Sequence, residues 1–111
     1  MTRKVLRSAA AAEDMLAIAG DVISDLGIEA ALATDDRIDA AIESLATLGQ
    51  RGRVVPELRL RGVMTYRELI ALPYRIVYRV EPREIWIVAV LDHRRDLDQL
   101  LLERARRDRE G

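Results

Sequence analysis

Seven consecutive apolar residues, Ile85–Leu91 (IWIVAVL), constrain this chain more than any other feature. A strand of that composition is apolar on both faces, so it reads as the centre of a sheet rather than its edge. Just before it, Tyr74–Val80 alternates. Tyr74, Ile76, Tyr78 and Val80 share one face, while Arg75, Val77 and Arg79 share the other. The turn Glu81-Pro82-Arg83-Glu84 joins the two segments into neighbouring strands. Arg75 and Arg79 then lie about 13 Å apart at about 3.3 Å per residue. Charge carried on a strand must have a use or a partner.

The flanking segments supply the other elements. Lys4–Arg7 reads as a short opening strand, and Ser8 as the N-cap of a helix through Leu26, with Met15, Ile18, Ala19, Val22, Ile23 and Leu26 at helical spacing. Gly27 is its natural stop. A second helix over Glu29–Leu48 places Leu32, Ile38, Ala41, Ile42, Leu45 and Leu48 on one side and Asp36, Asp39 and Glu43 on the other. So short a connection predicts an antiparallel helical hairpin with one apolar face to cover. Gln50–Met64 reads as a crossing loop with a short edge strand over Glu57–Arg61, Tyr66–Ile70 as a strand, and Leu72-Pro73 as a break. Asp96 is placed to cap a closing helix from Leu97 to about Arg107, with residues 104–111 fraying into solvent. The expected fold is α+β in the order β-α-α-β-β-β-α. It is a single domain over residues 1–111, a helical hairpin on one face of a small antiparallel sheet whose other face is partly open. On that open face the arginines would line an exposed groove.

Composition narrows the chemistry. With 111 residues, half of them apolar, the chain suits one domain with its own core. It has no run of the roughly 18–20 apolar residues a membrane span needs, and acidic residues interrupt the N-terminus before a signal-peptide core develops. A cytoplasmic protein without membrane contact is expected. The absence of cysteine excludes disulfides and thiolate chemistry, and one histidine makes a zinc site improbable; neither metal nor cofactor is expected. The net charge of −1 conceals a division, since residues 1–50 hold 4 basic and 9 acidic groups and residues 51–111 hold 14 and 10. All the basic residues are arginine except Lys4. From Arg51 through Arg79 there are 7 arginines against Glu57 and Glu68 alone, which implies an acidic partner.

GRVVPEL at Gly52–Leu58, YREL at Tyr66–Leu69, PYRIVYRV at Pro73–Val80 and VLDHRRDL at Val90–Leu97, in that order, resemble the ParE/RelE toxins of bacterial type II toxin-antitoxin systems, and the ParE branch in particular. The resemblance covers essentially the whole chain. It implies a RelE/ParE-like fold and a toxin, often encoded for plasmid stabilisation, that stops growth. A cognate antitoxin would neutralise it with an acidic C-terminal tail, and operator DNA would be met only through that antitoxin. ParE-like members are described as poisons of DNA gyrase, RelE-like members as ribosome-dependent mRNA endoribonucleases. A third reading is an inactive homologue kept only for repression of its own operon.

Fold cannot decide among these, so site chemistry must. Cleavage by a 2′-hydroxyl needs a proton acceptor, a donor to the leaving oxygen and cations around the phosphate. RelE-like toxins supply lysines, arginines and a tyrosine near the C-terminus, whereas Leu97-Asp98 stands where that tyrosine would fall. Arg67, Arg75 and His93 are the candidates if the chain cuts RNA. Arginine stays protonated and makes a poor base, which leaves His93, Tyr74 or Tyr78 for proton transfer. ParE-like relatives read HGRRD where this chain reads Asp92-His93-Arg94-Arg95-Asp96, and a one-residue shift turns a strand side chain to the other face. The expected function is therefore a gyrase-holding toxin without catalytic residues. Arg59, Arg61, Arg67, Arg75, Arg79, Arg94 and Arg95 are its candidate target- or antitoxin-binding residues.

Overall fold

β5 (Glu84–Asp92), the strand around the apolar run, lies inside a five-stranded sheet, in a computed structural model that describes residues 2–110. Around it the chain forms β1 (Lys4–Arg7), α1 (Ala9–Leu26), α2 (Ile28–Ser44), β2 (Arg53–Val54), α3 (Pro56–Arg59), β3 (Tyr66–Ala71), β4 (Tyr74–Val80) and α4 (Asp98–Glu110). The strand order is β1-β5-β4-β3-β2. Every pairing is antiparallel except β1 with β5, which is parallel, so the sheet is mixed rather than purely antiparallel as expected. The long connection through the helices lets β1 reach the far edge of the sheet running the same way as β5.

Ser8 caps α1 as its sequence position suggested, accepting a hydrogen bond from the Ala11 amide at 3.1 Å. Gly27 alone separates α1 from α2. Its φ of 92° is open to glycine and strained for an L side chain, which is how one residue can reverse the helix direction. Ala11, Met15, Ile38, Ile42 and Leu45 pack on Leu69, Ile76, Tyr78, Ile85, Ile87 and Val90 to form the first core cluster. At the turn end of the hairpin the apolar residues leave that core. Ile23, Leu26 and Leu32, expected on the buried side, are 47%, 74% and 61% exposed, and Leu48, past the end of α2, is also exposed.

The second sheet face is covered, where the sequence suggested it was partly open. Leu97, Leu101 and Ala105 recur every four residues and, with Leu58 of α3, cover Tyr66, Val77, Val88, Ala89 and Leu91. Glu57–Arg61 is not an edge strand. Pro56 instead starts a single turn of helix, and the pairing role falls to Arg53–Val54 against Glu68 and Arg67 of β3. α4 starts and ends later than expected. The Asp96 carboxylate accepts from the Asp98 amide, and the helix runs through Glu110 instead of fraying from residue 104, because Ala105 is buried and Asp108 is bonded. Gly111 lies outside the described residues.

Candidate functional site

Glu68 on β3 and Arg75 on β4 stand diagonally across the strand pair, since Arg75 faces Ile70 in the register and Glu68 faces Val77. The Glu68 side chain is 0% exposed. Arg75 reaches Glu68 at 2.5 Å and donates its other edge to Glu57 of α3, with Nη1 and Nη2 at 2.6 and 2.7 Å from the two carboxylate oxygens. Arg53 of β2 donates to the second oxygen of Glu68 at 2.7 Å. Bidentate guanidinium–carboxylate geometry satisfies donors and acceptors together. The Arg75 hydrogen bonds hold the Glu57 carboxyl below the usual carboxylate range, and those same bonds, to Glu57 foremost, raise Arg75. Arg75 is therefore buried and consumed by the fold, so the exposed arginine groove expected here is absent.

Arg79 is also engaged. It bonds Asp108 of α4 at 2.9 Å and Glu81 at 2.6 Å, and lies over the Trp86 ring at 5.5 Å from its centroid. Tyr66 donates to Asp108 at 2.7 Å beneath the same helix. One turn earlier Arg104 of α4 grips Asp14 of α1 at 2.5 Å and donates to the Val88 carbonyl at 3.0 Å, while Asp14 accepts from the Val90 amide at 2.9 Å. The register of β5 slips here, Val77 facing Ala89 but Tyr78 facing Ile87. Val88 is thus the bulged residue, and β1 has already ended at Arg7. The Asp14–Arg104 pair satisfies strand-edge groups that no strand reaches.

All three tyrosines are buried, and burial raises each phenol above its ordinary value, with Asp108 adding to the effect at Tyr66. A phenol with a raised folded pKa contributes stability that is complete below the unfolded value of about 10 and is lost as pH climbs past it. Alkaline titration followed by phenolate absorbance is expected to show no ionisation in the folded chain at about pH 10. The signal should instead rise with cooperative unfolding at higher pH. Two or more phenols titrating independently near 10 would contradict this.

The other candidate arginines divide between two places. Around β2 and α3, Arg67 donates to the Gly52 carbonyl at 2.7 Å, Arg61 bonds Asp98 at 2.8 Å, and Arg59 is exposed. In the turn between β5 and α4, Arg94 forks onto Asp92, holding that carboxyl down to about 2, while His93 and Arg95 are exposed. Among the described residues, the Arg59 and Arg95 side chains make no ion pair. The Arg67, Arg75 and His93 set proposed for RNA cleavage is not brought together. Arg67 sits at the Gly52 edge, Arg75 is bound by two carboxylates, and His93 follows the end of β5, where its backbone amide bonds the Pro73 carbonyl. Sequence reasoning missed the buried role of Glu68, the Asp14–Arg104 clamp, and Gly52, whose amide donates to the Tyr78 hydroxyl at 2.8 Å. A glutamate between the buried Tyr66 and Leu69 was the one available signal.

Fold and site together define a class, that of a small α+β protein with a helical hairpin on a mixed sheet and a C-terminal helix fastened by arginine–carboxylate pairs over the second face. The family model for the ParE toxin of type II toxin-antitoxin systems, parDE, matches residues 5–97. A solved structure titled as the chromosomal ParDE TA system from P. aeruginosa superposes with a TM-score of 0.71 at 23% identity, over 82% of this chain and 96% of that one. A search of curated proteins gives no match. The chain belongs to the ParE toxin family of type II toxin-antitoxin systems. No helix is long and apolar enough to cross a membrane among the described residues.

Proposed function

We propose that this toxin acts by binding DNA gyrase, and that a cognate antitoxin neutralises it by laying an acidic segment over its exposed arginines. The observation that carries the binding reading over RNA cleavage is the fate of Arg75. The guanidinium best placed on the sheet to hold a phosphate is neutralised by Glu57 and Glu68 inside the fold. Phosphoryl chemistry needs cations free to meet charge as it develops. Among the candidate arginines, Arg59 and Arg95 are exposed and outside any ion pair among the described residues, and Arg67 is partly exposed while donating to the Gly52 carbonyl; these are the donors available to carboxylates on a protein partner.

Purified toxin is expected to inhibit gyrase supercoiling, and an acidic-tailed antitoxin to relieve the inhibition. Arg59→Glu combined with Arg95→Glu should weaken inhibition about tenfold or more, equivalent to about 1.4 kcal/mol of binding. The melting temperature should stay near that of the parent protein, because both side chains are solvent-exposed. Undiminished supercoiling, together with A-site mRNA cuts by toxin-treated ribosomes, would replace this reading with the endonuclease one. Arg75→Ala is unsuited to that distinction, since it removes a structural group. Unaffected growth on expression without antitoxin would favour the inactive, operon-regulating homologue.

A further inference from the structure

Residues 60–65, which lead from α3 into β3, place in water two large apolar side chains that the fold does not use. Leu60 is 88% exposed, more than any other large apolar side chain among the described residues, and Met64 is 53% exposed. The backbone that carries them is fixed. The Leu58 carbonyl accepts from the Arg61 and Val63 amides at 3.0 and 2.9 Å, the Pro56 carbonyl from the Leu60 amide at 3.1 Å, and the Arg59 carbonyl from the Gly62 amide at 2.9 Å. Gly62 closes this turn with a φ of 79°, a conformation open to glycine. Leu58 and Val63 anchor it in the second core cluster, and Arg61 fastens it to Asp98 at the start of α4. Leu60 is therefore held out by a pre-formed turn, not by a loose end. A lone surface leucine needs no explanation, but leucine and methionine together in one rigid turn do. Arg59 and Arg61 flank Leu60, residues 59–65 contain no acidic group, and Arg59 has no ion pair among the described residues.

Shape and charge together select the partner. An extended or helical segment binds by lying in a groove or along a sheet edge, and a projecting turn offers it neither. A protruding leucine instead gains most from a pocket already formed on a folded protein, and a rigid turn loses little freedom on entering it. The two flanking arginines require carboxylates on the rim of that pocket. A second copy of this turn would set arginine against arginine across a two-fold axis. We infer that the turn carrying Leu60 and Met64 is the surface by which this toxin grips the enzyme it inhibits, Leu60 entering an apolar, carboxylate-rimmed pocket on gyrase; this rests on the gyrase reading and supplies its contact surface. An acidic antitoxin segment laid on Arg59 would then cover the grip itself.

Leu60→Ser combined with Met64→Ser tests it in the intact chain, read by supercoiling inhibition of purified gyrase and by growth on expression without antitoxin. The variant is expected to need about tenfold or more toxin for half-inhibition and to arrest growth no longer, as for loss of a central anchor. Its melting temperature should match the parent's, since both side chains lie largely in solvent. Leu60→Met, which keeps apolar volume, should retain inhibition. If the parent inhibits gyrase and the serine variant inhibits it equally, the inference falls and the gyrase reading stands. If the parent spares gyrase yet arrests growth, and the serine variant does not, the turn grips a different target and the gyrase reading alone falls. Equal growth arrest by both proteins sinks the inference whatever the target. It would also fail if the serine changes weakened antitoxin binding while leaving inhibition intact, or if they abolished capture of the toxin by duplex DNA without gyrase or by phosphatidylglycerol vesicles.

Discussion

Glu68→Ala is expected to destabilise the fold by about 3–5 kcal/mol, the range for removing one member of a buried ion pair. The carboxylate has no solvent exposure and serves two cations, Arg75 at 2.5 Å and Arg53 at 2.7 Å. Without it Arg75 keeps only Glu57, a partner from a one-turn helix, and one edge of a buried guanidinium is left without an acceptor. Urea unfolding of the variant should show a lower midpoint with an unchanged slope. Two comparisons separate the cause from general damage to the strand. Arg53→Ala should cost no more than about 1 kcal/mol, because that side chain is 65% exposed and its half of the interaction is screened by water. Glu68→Met with Arg75→Met should recover much of the loss, since it removes both charges and leaves apolar volume beside Val77, which faces residue 68 across the strands. A loss under about 1 kcal/mol for Glu68→Ala would mean that the pair contributes little to holding β3, β4 and α3 together.

The same network explains where the sequence was legible and where it was not. Periodicity located β4 and β5 and the two faces of Tyr74–Val80, because side-chain alternation is a local property that one strand displays by itself. Ser8 and Gly27 were legible for the same reason, as each acts on residues next to it. The closing of the second face was not. It depends on Arg104 meeting Asp14 across 90 residues and on Asp108 reaching both Tyr66 and Arg79, and neither encounter has a short-range signature. Counting charges between Arg51 and Arg79 suggested an excess of unpaired arginines. The carboxylate missing from that count came partly from α4, outside the window. What remained exposed after these pairings, Arg59 and Arg95 above all, is a smaller set than the seven arginines singled out from the sequence.

Gly52→Ala should be the most damaging change of a single methyl group. A Cβ at this position would stand 2.4 Å from the Glu68 carbonyl oxygen and 2.6 Å from the Tyr78 hydroxyl. The closer contact is backbone of β3, which is paired on both sides and cannot swing aside as a side chain can. Overpacking of this kind costs about 1–3 kcal/mol. Displacing Gly52 also breaks its amide bond to Tyr78 and the bond its carbonyl accepts from Arg67, adding about 1 kcal/mol each. A total of about 3–5 kcal/mol corresponds to a fall of roughly 10 °C or more in melting temperature for a domain of this size. Tyr78→Phe identifies the origin. Alone it should cost about 1–3 kcal/mol by leaving the buried Gly52 amide without an acceptor. In the Gly52→Ala background it should rescue little, because the tighter contact is with Glu68 and not with the hydroxyl. A full rescue would locate the crowding at the tyrosine instead.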